Sequence, residues 1–162
     1  MSPRPLGEDW ETGSDLPTCR RAGSRAAVVI RVMVVEDHDL IREALAAALQ
    51  AEQDIEVVAC CPDGQTAIEN LDRANPDVVV TDLSLPGVDG VTVTAHLCRH
   101  RPGVPVVVFT SAPSAHRAAA ARAAGAPTIL SESASPGALL TAVRTAAGMA
   151  ALGWTSTRRS ER

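Results

Sequence analysis

The chain has 162 residues and a formal net charge of -4, with 46% hydrophobic and 21% charged residues, a balance that fits one soluble globular domain with room for flanking tails. It contains no lysine and no tyrosine, and only one phenylalanine and two tryptophans. Lysine chemistry is therefore excluded, and the aromatic platforms that hold single-stranded nucleic acid are missing, so no direct nucleic-acid contact is expected.

The four cysteines, Cys19, Cys60, Cys61 and Cys98, show no C-x-x-C spacing, and the adjacent pair is badly placed to clasp one metal; they read as reduced thiols. No apolar run reaches the roughly 18 to 20 residues that a membrane span needs, and the N-terminus lacks a signal-peptide core. These features point to a cytoplasmic chain without a membrane partner.

Residues 1–27 mix Pro, Gly, Ser and both charge signs without apolar periodicity, the composition of a disordered leader. From residue 28 five apolar runs follow: VVIRVMVVE (28–36), IEVVACC (55–61), DVVVTDL (77–83), VPVVVFTS (104–111) and PTILS (127–131). Three are nearly continuous in Val and Ile, as expected of strands covered on both faces.

Helical patterns fill the gaps. Leu40, Ile41, Ala44, Leu45, Ala48 and Leu49 recur at helical spacing. A second helix is predicted from about Asp63 through Leu71, ending before Asn75-Pro76, because the residue before proline is pushed out of helical geometry. A third follows Gly90. A fourth, about Ser114 to Ala124, is nearly all alanine and arginine, with Gly125 as its stop. The fifth starts at Ser135-Pro136, a cap followed by proline in the first turn.

Residues 151–162 return to a short polar tail. Its arginines Arg158, Arg159 and Arg162 read as a solvated end, and a dozen residues are too few for a helix-turn-helix output domain.

Strand-helix alternation repeated five times predicts an α/β domain over 28–150, a doubly wound five-stranded parallel sheet. In such sheets ligands bind beyond the carboxyl ends of the strands, where strand order reverses. The first run ends in Glu36-Asp37 and the third in Asp82. In a flavodoxin-like order 2-1-3-4-5, the first and third strands are neighbours and the three carboxylates meet at one sheet edge. Unit charges about 4 Å apart repel by roughly 4 kcal/mol at an effective dielectric of about 20, so the group calls for a cation or raised pKa values. Oxygen-only ligands with one carboxylate to spare suit Mg2+ and phosphate chemistry, with a carboxylate oxygen as nucleophile.

The segments VMVVEDHD, DVVVTDLSLPGVDG and VVVFTS, followed by GA and a short strand, resemble the receiver domain of two-component response regulators, in the CheY-like superfamily. They are most similar to the receivers that precede a helix-turn-helix output domain. The most specific element is D-x-x-L-P-x-x-D-G from Asp82 to Gly90.

This resemblance implies that Asp82 accepts phosphate from a histidine kinase or another phosphodonor. Glu36, Asp37, Asp82 and the backbone carbonyl of Ser84 would hold Mg2+, and Thr110 would be the switch hydroxyl. Pro86, Asp89 and Gly90 shape the following loop, and His38 is given no chemistry. The resemblance also implies signalling by protein contact, in transcription regulation, with a homodimer or another regulator docking on the face of helix four, strand five and helix five. It implies no enzyme: an aspartyl phosphohydrolase needs a second aspartate two residues after the nucleophile, where this chain has Ser84.

The family pattern G-A-x-G-Y-L-x-K falls on Gly125 to Glu132. Glu132 stands where the phosphate-pairing lysine belongs, and Ile129 stands at the switch aromatic. Two readings stay open for Glu132. Either it faces the carboxylate pocket and works against a stable phosphoaspartate, making the chain a phosphorylation-independent interaction module, or it faces water beside Ser131 and Ser133.

Overall fold

The computed structural model describes residues 28–111 and 113–151. The expected leader over 1–27, Cys19 and the tail beyond Ala151 lie outside the described residues. Five strands and five helices alternate along the described chain: β1 (Ile30–Val35), α1 (Asp39–Gln50), β2 (Ile55–Cys61), α2 (Gly64–Ala74), β3 (Val78–Thr81), α3 (Gly90–His100), β4 (Val106–Thr110), α4 (Ala115–Ala124), β5 (Thr128–Ser131) and α5 (Pro136–Ala151). All strand pairs are parallel and the order is β2-β1-β3-β4-β5, the expected flavodoxin-like arrangement.

The valine runs become intelligible in this sheet, because successive side chains point to opposite faces. Met33, Val35, Val79 and Val108 join Leu71, Leu97 and Ala121 in the core under α2, α3 and α4. Their neighbours Val32, Val34, Val78, Val80, Val107 and Phe109 join Leu45, Leu49, Leu139 and Val143 under α1 and α5. Each strand is thus apolar on both sides because both sides are roofed.

Helix ends follow the punctuation in the sequence. Asp63 accepts from the Thr66 amide, Asp89 from the Thr92 amide and Ser114 from the Arg117 amide, each occupying a donor left over at a helix start. Asn75 ends α2 in the left-handed region at φ 43°, and Arg31 of β1 donates to the carbonyls of Ala74 at 2.8 Å and Asn75 at 3.2 Å. On the other face, Arg144 of α5 bridges Asp54 and Glu52 in the turn between α1 and β2. Cys61 is buried beneath α2, which pushes its thiol up to about 11.

Strand boundaries are tighter than the apolar runs suggested. Glu36, Asp82 and Ser111 leave the strands as the chain turns toward the helices, so the acids sit on loops anchored by the sheet. The loop after β3 closes against α3 at Gly90, whose amide donates to the Leu83 carbonyl at 3.2 Å. A Cβ at Gly90 would lie 2.0 Å from the Asp82 carbonyl oxygen and 2.9 Å from the Leu83 Cα, and backbone atoms there cannot turn aside. Gly90→Ala should therefore cost roughly 1–3 kcal/mol, the usual range for overpacking. Gly103→Ala, where a Cβ meets nothing within 4 Å, should change stability little. Urea denaturation of both variants checks this, and equal midpoints would refute the close approach at Gly90.

Candidate functional site

Main-chain pairing continues one residue past the strands and lines up the site. The Glu36 amide donates to the Cys61 carbonyl, the Asp82 amide to the Val35 carbonyl, and the Glu132 amide to the Thr110 carbonyl, each at 3.0 Å. These bonds place Glu36, Asp82, Thr110 and Glu132 in a row at the carboxyl ends of adjacent strands. Glu36, Asp82 and Thr110 are buried, at 1%, 4% and 2% exposure, while Glu132 is half-buried.

One carboxylate oxygen from each of Glu36, Asp82 and Glu132 lies within 4.8 Å of the other two. Glu132 therefore faces the pocket, and the alternative in which it merely faces water is set aside. Its other surroundings are apolar: it borders a cleft of about 350 Å³ with Leu40, Ile41, Ala44, Phe109 and Leu139. Burial, and then the charges of Asp82 and Asp37, push its carboxyl above the ordinary value, with His38 acting the other way.

Asp37 belongs to a second group of acids at the same edge. Glu36 is common to two groups, one with Asp82 and Glu132 and one with Asp37 and His38. The group that contains Asp82 is completed by Glu132. Asp37 sits two residues beyond the end of β1, and its Oδ1 lies 3.2 Å from His38 Nδ1.

His38 also has more to do than the sequence reading allowed. Its amide donates to Glu36 Oε1 at 3.0 Å, and its Nδ1 lies 3.1 Å from the same oxygen. The hydrogen bond to Glu36, followed by the charge of Asp37, holds the imidazole above its usual range. Even so, Glu36 Oε2 is buried without a hydrogen-bond partner. Burial is the largest influence on Glu36 and pushes its carboxyl up.

Two arginines border the site without neutralising it. Arg42 donates to the Glu36 carbonyl at 2.8 Å and to the Asp39 carboxylate. Arg117 of α4 donates to the Leu83 carbonyl at 2.6 Å and to the Ser84 hydroxyl at 2.9 Å. Neither was singled out from the sequence, since an arginine in an alanine-rich helix carries no signal of its target. Ser84 is exposed, and Leu83 rather than Ser84 supplies the carbonyl that Arg117 takes. Ile129, at the switch-aromatic position, packs against the core under α3 and α4.

The electrostatics set a sign. Glu36 and Glu132 have folded-state carboxyls raised above 4.5, so the native state holds more protons than the unfolded chain just above that pH. Stability then falls as pH rises through this window. His38, raised above 6.5, acts in the same sense at higher pH. In chelator-treated protein, Glu132→Gln should raise Tm at neutral pH and flatten its fall with pH. Thermal denaturation between pH 4 and 8 checks this, and a Tm lowered by the substitution would contradict it.

A model of the response regulator receiver domain matches residues 32–144. The chain is 37% identical over 83 residues to the transcriptional regulatory protein LiaR of Bacillus subtilis, covering 51% of this chain and 39% of that protein. It is 38% identical over 81 residues to the transcriptional regulatory protein DegU of Brevibacillus brevis, covering 50% and 34%. It is also 39% identical over 94 residues to a protein-glutamate methylesterase/protein-glutamine glutaminase of Anaeromyxobacter dehalogenans, covering 58% and 26%. The matches thus span well under half the length of these curated relatives.

Among solved structures, the signal receiver domain of the putative response regulator NarL from Mycobacterium tuberculosis superposes with a TM-score of 0.71 at 28% identity, over 74% of this chain and 97% of that one. The response regulator domain of Thermotoga maritima CheB does so at 0.68 and 26%, over 74% and 97%. With the strand order, the acids at the carboxyl edge and the matched segment in agreement, this chain belongs to the response regulator receiver domain family.

Proposed function

We propose that the chain accepts a phosphoryl group on Asp82 from a histidine kinase and passes the signal on by protein contact. The observation that carries this reading is the buried Asp82 carboxylate grouped with buried Glu36 at the ends of neighbouring strands. In the transfer, an Asp82 carboxylate oxygen attacks phosphorus. The new O–P bond forms as the N–P bond to the donor histidine breaks, and the departing imidazole takes up a proton from water.

The buried, unpartnered Glu36 Oε2 suits a hard cation. On this reading Glu36, Asp37, Asp82 and the Ser84 carbonyl would hold Mg2+, which supplies charge screening for the incoming phosphoryl group. Thr110, buried at the end of β4, would donate its hydroxyl to a phosphoryl oxygen. The receiver acts here as a signalling module, and the relatives that are methylesterases share with it only the matched segment, 26% of the protein from Anaeromyxobacter dehalogenans. Two of its relatives are named transcriptional regulatory proteins, so the output we assign is transcription regulation through a partner. No helix of the described residues is long and apolar enough to cross a membrane, in keeping with a cytoplasmic place for this signalling.

A second reading is favoured by Glu132. Its carboxylate shares the pocket with Asp82, and two unit charges at that spacing repel by about 3 to 4 kcal/mol at an effective dielectric of about 20, an upper figure because the half-exposed Glu132 is screened. Under this reading the chain binds a second copy or another regulator unmodified, through the face of α4, β5 and α5. Ile129 at the switch position and a fourth helix with Ala121 as its one buried residue also favour it.

Incubation with Mg2+ and a small phosphodonor, read by intact mass, separates the two. The first reading expects a gain of one phosphoryl group that Asp82→Asn abolishes. No gain in the parent together with a gain in Glu132→Lys would move the assignment to the second reading.

A further inference from the structure

We infer that Glu132 is itself a ligand of the cation in this pocket, forming with Glu36 and Asp82 a three-carboxylate site for a hard divalent ion that needs no phosphoryl group to be complete. This inference rests on the reading of the acidic pocket as a cation site and assigns it a ligand that the receiver pattern does not supply.

Four observations carry it. First, the position of Glu132 is set by the main chain: its amide bonds to Thr110 at the end of β4, so the side chain springs from a fixed point on the sheet edge. Second, its carboxylate reaches to within 4.8 Å of both the Glu36 and Asp82 oxygens. That spacing lets one ion touch all three, since oxygens on opposite sides of Mg2+ stand about 4.1 Å apart and those around Ca2+ about 4.6 to 5.2 Å apart.

Third, Glu36 is 1% exposed and its Oε2 has no hydrogen-bond partner. Leaving a buried carboxylate oxygen unmet is costly, and a cation meets it. Fourth, the cationic side chains at the rim are engaged elsewhere. Arg42 serves the Glu36 carbonyl and Asp39, Arg117 serves Leu83 and Ser84, and His38 takes the other oxygen of Glu36. The chain has no lysine to add.

The chemistry of the ligand follows from the donors. Three carboxylates and no nitrogen or sulfur donor select Mg2+, Mn2+ or Ca2+ over softer ions. Mg2+ ordinarily takes one or two carboxylates and keeps several waters, whereas Ca2+ takes more oxygen ligands with looser geometry. A carboxylate added to those that the receiver pattern supplies therefore favours Ca2+. With Glu132 on the ion, Asp82 is held as a ligand too, and a phosphoryl group entering the pocket has to displace Glu132.

The test is isothermal titration of the chelator-treated full chain with MgCl2 and, separately, CaCl2, paired with the Tm shift each ion produces. The parent should bind one ion and gain Tm. Glu132→Gln, which keeps shape and removes charge, should weaken binding tenfold or more and lose most of the Tm gain, with the larger loss for Ca2+. Asp72→Asn, an exposed acid on α2, should behave as the parent. Glu132→Lys serves as a second variant and should weaken Ca2+ binding at least as far as Glu132→Gln does, while Glu36, Asp37 and Asp82 remain for Mg2+.

Unchanged affinity in Glu132→Gln, or no ion bound by the parent, would overturn the inference. That failure is separate from failure of the phosphoacceptor reading, which shows as absence of a phosphoryl adduct on Asp82. An ion bound through Glu132 in a parent that takes no phosphoryl group would sustain the former and overturn the latter.

Discussion

The site depends on a single constraint, that the parallel ladder β1, β3, β4 and β5 fixes where four carboxyl-end residues leave the sheet. Hydrogen bonds from Asp82 to Val35 and from Glu132 to Thr110 continue the ladder past the strands, so the acids cannot drift apart without breaking sheet pairing. The valine-rich cores on both faces hold that ladder in place. Burial of this apolar surface, at about 25 cal/mol per Å², is what offsets the cost of crowding like charges at the edge. The repulsion is thus a property the fold tolerates.

Function in this family rests on a balance of charge around the phosphoacceptor position, and here the balance is shifted. A lysine at the end of β5 would bring positive charge to Asp82. Glu132 brings a further negative one, raised in pKa by burial and by Asp82. His38 compensates only in part, because its ring is tied to Glu36 and Asp37 and stands exposed to water. Arg117 approaches from α4 but spends its donors on the loop after Asp82. It thereby fastens α4 to the loop beside Asp82.

The fold was legible in the sequence because its signals are local and repeated. Continuous Val runs mark roofed strands, Asn75-Pro76 and Gly125 mark helix stops, and Asp63, Asp89 and Ser114 act as the caps their positions suggest. The convergence of Glu36 with Asp82 was legible too, through strand order. Less legible was side-chain direction just beyond a strand end. Asp37 Oδ1 meets the His38 ring, and Glu132 joins Glu36 and Asp82 in one group. Nothing in local sequence distinguishes a Glu facing water from one facing a pocket; that depends on the β4–β5 register and on the apolar cleft formed with α1 and α5. The contacts of Arg117 and Arg42 lie beyond sequence reasoning for the same reason, since both reach main-chain carbonyls, which carry no residue signature.

The central claim is that the Glu132 carboxylate shares the pocket with Asp82. Its most direct test is a carboxyl 13C NMR titration of Glu132 in the chelator-treated parent and in Asp82→Asn. Removing the Asp82 charge should lower the Glu132 midpoint toward the ordinary glutamate value, because that charge is among the causes that raise it. An identical midpoint in the two proteins would place Glu132 outside the pocket and contradict the account.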